Sequence, residues 1–265
     1  MNKWIIMLLS LLIFCSFVFQ KDKSFKTILL KDKNVIVKVD EFENIYVIDK
    51  NEILKYNSSG NLVKSFSTKR YGSIDFVDVT NPLKILVYYK DFQQILFLDN
   101  QLTASSNMIS LEDLGLEQTS LVCKSANNSF WLYNKQNNSL LRYSEKSKQL
   151  VKIENITRIL NVELKPNFML ERNNYLYLNC PNEGILVFDI YGSFLKTIPI
   201  TQVSEFEILN NRVVYFTKKT IHEYDSQTFA TATKEFSDTL LKTVYWEGEN
   251  FFKVFQDSIV KEPVP

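Results

Sequence analysis

One apolar rhythm returns six times along this 265-residue chain, and it restricts the fold more than any other feature. Each copy holds three short β-rich runs separated by polar turns. The copies open at Asn44, Lys84, Ser129, Tyr175, Arg212 and Asn250. The aliphatic residue that starts the middle run falls at Ile53, Ile95, Leu140, Ile185, Ile221 and Ile259, in steps of 36 to 45 residues. That run ends on Tyr56-Asn57, Leu98-Asp99, Tyr143-Ser144, Phe188-Asp189 and Tyr224-Asp225. Asp, Asn and Ser suit a tight turn there, because their side chains bond the backbone ahead.

A further alternating run precedes each copy, at 35–39, 74–79, 120–124, 168–171, 205–209 and 242–246. Four strands per unit of about 40 residues describe the blades of a β-propeller. The 20 Phe, 13 Tyr and 3 Trp are consistent with sheet, which favours aromatic and β-branched residues. We therefore expect an all-β, six-bladed β-propeller over 24–265, with strands a to d in each blade. The sixth copy stops after its third strand. The unclaimed run "SFKTILL" at 24–30 is expected to pair near Ile259, supply that blade's fourth strand and close the ring. A β-sandwich or a two-domain β-protein would not require complementary ends of this kind. The one candidate for a helical turn is "SLEDLGLEQ" from Ser110, between blades two and three.

The first twenty residues read as an export signal. Lys3 is followed by an uncharged, apolar stretch from Trp4 to Phe19, then by polar "KDKS". "LIFC" ending at Cys15 resembles a lipobox but carries Phe14 where a small residue is usual. Cleavage, lipidation at Cys15 and retention as an anchor stay open as alternatives. The expected address is the periplasm or outer membrane, with membrane association only through this segment. The other cysteines, Cys123 and Cys180, fall in inner strands and read as buried free thiols.

Beyond residue 20 the chain carries as many cations as acids, so no basic surface exists for nucleic acid. The single histidine, His222, lies in strand c of blade five, away from any channel. No nucleophile motif, zinc motif or phosphate loop is present, and no cofactor is expected. Strand-a acids do occur, at Asp75, Asp78, Glu171, Glu205 and Glu207. A divalent-cation hydrolase or lyase would need several such groups converging on the channel, and this is the competing reading. The preferred reading is a non-catalytic module that binds a protein or an outer-membrane complex. Arg70, Tyr71, Tyr89 and Phe92, in loops on one face, are its candidate contacts, since aromatics and Arg anchor interfaces.

Two segments carry a family likeness. "ILVFDIYGSFLKTI" from Ile185 and "ILKYNSSGNLVKSF" from Ile53 resemble the repeat core of NHL-type and TolB-like six-bladed propellers, with Gly192 and Gly60 at the glycine position. The residue usage and the signal also resemble exported propellers of Bacteroidota. The resemblance implies a six-bladed ring that binds a protein or ligand on one face, and it implies no particular reaction.

Overall fold

A computed structural model describes residues 25–161 and 163–265, so the expected signal segment and Cys15 lie outside the described residues. Six four-stranded antiparallel sheets stand in sequence around a ring. Blade one is a plain meander of Ile36–Val39, Ile45–Asp49, Glu52–Tyr56 and Leu62–Ser67. The inner strands of the next five blades are Phe76–Asp78, Thr119–Ser125, Phe168–Arg172, Glu207–Leu209 and Thr243–Glu247. The sequence pattern had placed all six within two residues at either end.

Closure follows the expected route. Ile28–Leu29 is strand d of blade six and pairs antiparallel with Ser258–Pro263, joining Ile28 to Ile259 and Leu29 to Ser258. Ile28 and Ile259 are both buried, in the cluster that packs blade six on blade one.

The core is not one centre but a set of seams between neighbouring blades. In blades two and three strands b and c are therefore covered on both faces. Ile85–Tyr89 and Ser129–Asn134 are buried at every position, so alternation vanishes there. Cys123 and Cys180 sit in the seam between blades three and four as free, buried thiols. Burial holds both thiols above their ordinary pKa, against thiolate chemistry.

The turns behave as their side chains dictate. Asn57, Asp99, Asp189 and Asp225 each accept two backbone N–H bonds from the turn that follows. Gly60 and Gly192 complete two of these c–d turns with positive φ, and each turn lies against the preceding blade. A Cβ on Gly192 would stand 2.8 Å from Ile153, and one on Gly60 2.0 Å from the Lys26 carbonyl oxygen. The glycine of the repeat is thus the point where one blade touches the last. The turn expected after Ser110 is a single 3₁₀ turn at Glu112–Leu114. A short helix at Ile156–Leu160, which apolar periodicity did not reveal, joins blades three and four.

Candidate functional site

The six inner strands align in one register. Lys38, Asp78, Cys123, Leu170, Glu207 and Tyr245 face equivalent partners in strand b of their own blades. Five of the six, all but Cys123, line a central cavity of about 330 Å³. Phe76, Phe168 and Phe206 form its apolar wall, meeting edge to face at 6.2 and 5.4 Å between ring centres.

Two ion pairs cross the channel. The Lys38 ammonium of blade one bonds Glu205 of blade five at 2.5 Å and sits 5.9 and 5.7 Å from the Phe76 and Phe168 rings. Burial works against its charge, but Tyr245, Glu205 and Glu207 outweigh that, and the ammonium is held above the ordinary lysine value. The Arg172 guanidinium of blade four reaches Glu41 of blade one at 3.3 Å and the Thr80 carbonyl of blade two at 3.2 Å.

Among the described residues two carboxylates have no such partner. Burial pushes Glu207 up to about 8; the charge of Glu247 adds to this and Lys38 opposes it. Burial pushes Glu247 up to about 7, opposed by Arg172 and the Gly248 N–H and reinforced by Glu41 and Asp40. Tyr245 donates to the Val37 carbonyl, and burial raises its phenol as well.

A stability profile follows from those two acids. Both have folded-state values above the unfolded one, so their contribution is full below about pH 4.5 and is lost as pH rises through 7 and 8. After discounting for solvent in the channel we expect a loss of order 2 kcal/mol between pH 5 and pH 9. Thermal melts across that range should show a falling midpoint that Glu207→Gln flattens. A rising midpoint would contradict it.

The five acids expected at strand a divide by role. Glu205 and Glu207 face the channel together. Asp78 also lines it, but its carboxylate is occupied by Thr80 and by the Lys124 N–H of blade three. Glu171 is buried away from the channel between blades three and four. It accepts bonds from the Ser125 hydroxyl, the Ala126 N–H and the Trp131 indole at 2.5, 2.8 and 2.6 Å. Asp75 accepts the Lys90 N–H at the b–c turn of blade two. Among the described residues no group of three or more His, Cys, Asp or Glu is placed to hold a metal ion. Lys38, Arg172, Tyr245 and Glu247 were not singled out from sequence. Lys38 and Tyr245 fall in runs already assigned to strand a, whereas Arg172 and Glu247 lie one residue past the ends of theirs.

The loop candidates are placed as follows. Tyr89 is fully buried between blades one and two, with its ring 5.6 Å from Tyr71. Arg70 lies over the Tyr71 ring at 5.3 Å, and Phe92 is half exposed beside Gly72. His222 is not among the cavity-lining residues: it stacks at 4.8 Å on Tyr215, which is, and bonds Thr217 at 3.0 Å. His222→Ala is expected to change stability by under about 1 kcal/mol in urea unfolding.

The larger exposed aromatics lie on the opposite face, at the a–b and c–d turns. Phe42, Tyr191 and Phe229 are 59%, 77% and 72% exposed. Tyr191 and Phe229 belong to neighbouring blades four and five, which the Lys196 ammonium ties together through Ser226.

No protein family matches the sequence, and no curated protein matches it. Solved structures match the fold. A streptogramin B lyase superimposes with TM-score 0.59 at 11% identity, over 89% of this chain and 96% of that one. The inactive histidine-to-alanine variant of virginiamycin B lyase from Staphylococcus aureus, with quinupristin, gives 0.58 at 13% identity, over 88% and 81%. BBS1N in complex with ARL6DN gives 0.53 at 10% identity, over 87% and 77%. At these identities the likeness is one of fold, shared by a lyase and by a protein-binding domain alike.

Proposed function

We propose that this propeller is an exported, non-catalytic binding module that holds a protein partner in the cell envelope. The observation that carries the reading is the exposed aromatic rim of the a–b and c–d face, at Tyr191 and Phe229. Large aromatic side chains left in water at neighbouring turns are the residue types that dominate protein interfaces. The Arg70, Tyr71 and Phe92 cluster on the other face is the second candidate surface. The address rests on the leading apolar segment and Cys15, and the kinship with NHL-type and TolB-like propellers rests on the Gly60 and Gly192 copies.

The test is cross-linking and capture of the full chain from native membranes. Tyr191→Ser with Phe229→Ser should reduce the captured partner roughly tenfold or more, as for a pair of interface anchors. Phe92→Ser should leave it unchanged. Loss with Phe92→Ser alone would move the surface to the other face, and capture untouched by either change would overturn the reading. Fractionation of the Cys15→Ser variant tests the address. Loss of membrane association supports lipidation, and an unchanged distribution excludes it.

A further inference from the structure

We propose that the central channel is a binding site for a small organic cation, an ammonium group on a compact apolar body, held between Glu207 and Glu247. Six carboxylates face three cations among the side chains lining this cavity. Most of those charges are already committed. Lys38 holds Glu205, and Arg172 holds Glu41. Lys242 bonds the Lys33 carbonyl. Asp40 is taken by Asn44, Tyr46 and its own turn, and Asp78 by Thr80 and Lys124. Among the described residues Glu207 and Glu247 form no ion pair. From neighbouring blades both line the cavity, Glu207 level with Leu170 and one register step from the Phe76 and Phe168 wall, Glu247 one step further along, level with Arg172.

The class of ligand follows from what surrounds that pair. Calcium or magnesium wants six or more oxygens, and among the described residues no three His, Cys, Asp or Glu are grouped to hold a metal ion, whereas two carboxylates share the cavity with aromatic and aliphatic walls. An organic ammonium needs two or three acceptors and an apolar surface for its carbon body, and both are present. The wall already carries one ammonium, that of Lys38, over its rings. A volume of about 330 Å³ lies at the small end of ligand pockets, which run from roughly 300 Å³ upward. An anionic ligand would instead meet the surplus of acids.

Binding must also move protons. Burial pushes Glu207 and Glu247 up to about 8 and 7, facing Lys38, Glu205, Arg172, Glu41, Asp40 and Tyr245. A cation seated between them favours the ionised forms, so protons leave as it enters. Affinity should therefore rise with pH from 6 to 8.5.

The probe is phenethylamine, titrated calorimetrically into the full chain at pH 7.5 in two buffers of different ionisation heat. Phenethyl alcohol, phenylacetate and calcium chloride serve as neutral, anionic and metal comparators. We expect the amine to bind with net proton release and at least ten times more tightly than the alcohol or the acid. Glu207→Gln and Glu247→Gln, each isosteric with the acid and neutral at every pH, should fold normally. Each should weaken the amine roughly ten- to a hundredfold, as loss of one charge-assisted hydrogen bond does. Either variant alone carries the test. The proposal is overturned if the alcohol or phenylacetate binds as well as the amine, or if the amine gives no heat at millimolar concentration. It is equally overturned if both variants bind the amine unchanged, or if calcium binds with the same dependence on Glu207.

Discussion

A chain that begins at Lys31 is expected to aggregate rather than fold. Without residues 25–30 the blade-six strand Ser258–Pro263 loses its partner at Ile28 and Leu29 and becomes an open edge. Open edges pair with other chains. The loss also uncovers the apolar seam that Ile28 fills against Val37, Phe252 and Ile259. Burial of one such side chain stabilises by roughly 1.5–3 kcal/mol, before the missing strand bonds are counted. Size-exclusion chromatography and thermal melting of the shortened chain decide the point, and a monomer with an unchanged melting midpoint would sink it. A milder version tests the same joint. Gly60 has φ +76°, and its turn lies on Lys26, which also donates its N–H to the Ser59 carbonyl. Gly60→Ala should cost more than about 3 kcal/mol, the sum of left-handed strain and a backbone collision. Gly115 has a similar φ, +68°, with nothing within 4 Å of its would-be Cβ. Gly115→Ala should cost only about 1 kcal/mol, so the difference between the two isolates the contact with the closing strand.

Glu171→Ala should be nearly as damaging. Three donors from blade three converge on this carboxylate, and none has another acceptor of comparable geometry. Arg142, itself buried, braces the same Ser125 hydroxyl and the Ala126 and Ile190 carbonyls. A buried donor left unmet costs about 1–3 kcal/mol. The group is one network, so single costs do not add, and about 3–5 kcal/mol is expected for the whole. In a domain of this size that lowers the melting midpoint by roughly 10 °C or more. Glu171→Gln should lie between, since an amide keeps one acceptor and sets its NH2 against a donor. A loss below about 1 kcal/mol for Glu171→Ala would show that the carboxylate is dispensable to the seam between blades three and four.

Much of the ring was legible in the sequence because its parts are local. Turn residues at Asn57, Asp99, Asp189 and Asp225 mark four of the c–d corners, and the apolar steps between them set the blade. The closing strand was legible because one copy lacks a strand and the other end has one to spare. Exposure was not. Tyr89 stands in a loop-like "YYKDF" run, yet the facing blade covers it, since both faces of strand b of blade two are buried. Alternation separates inside from outside only where one face meets water. The channel was half legible. Glu205 and Glu207 stand out as acids in an apolar strand, but the ion pairs that cross the channel, Lys38 with Glu205 and Arg172 with Glu41, join residues more than 130 positions apart in sequence. Nothing along the chain says that residues at one register will meet.

The joint between Ile28 and Ile259 also sets the order in which the molecule can be made. Each of the first five blades is a meander of neighbouring hairpins, and such contacts can form as soon as the chain leaves the ribosome. The pairing that closes the ring spans nearly the whole polypeptide, and it must wait for the last strand to be synthesised. Bringing such distant segments together carries an entropic cost that grows with the logarithm of the intervening length. High contact order of this kind slows folding. The nascent chain therefore carries an unpaired first strand through five completed blades until the sixth is made.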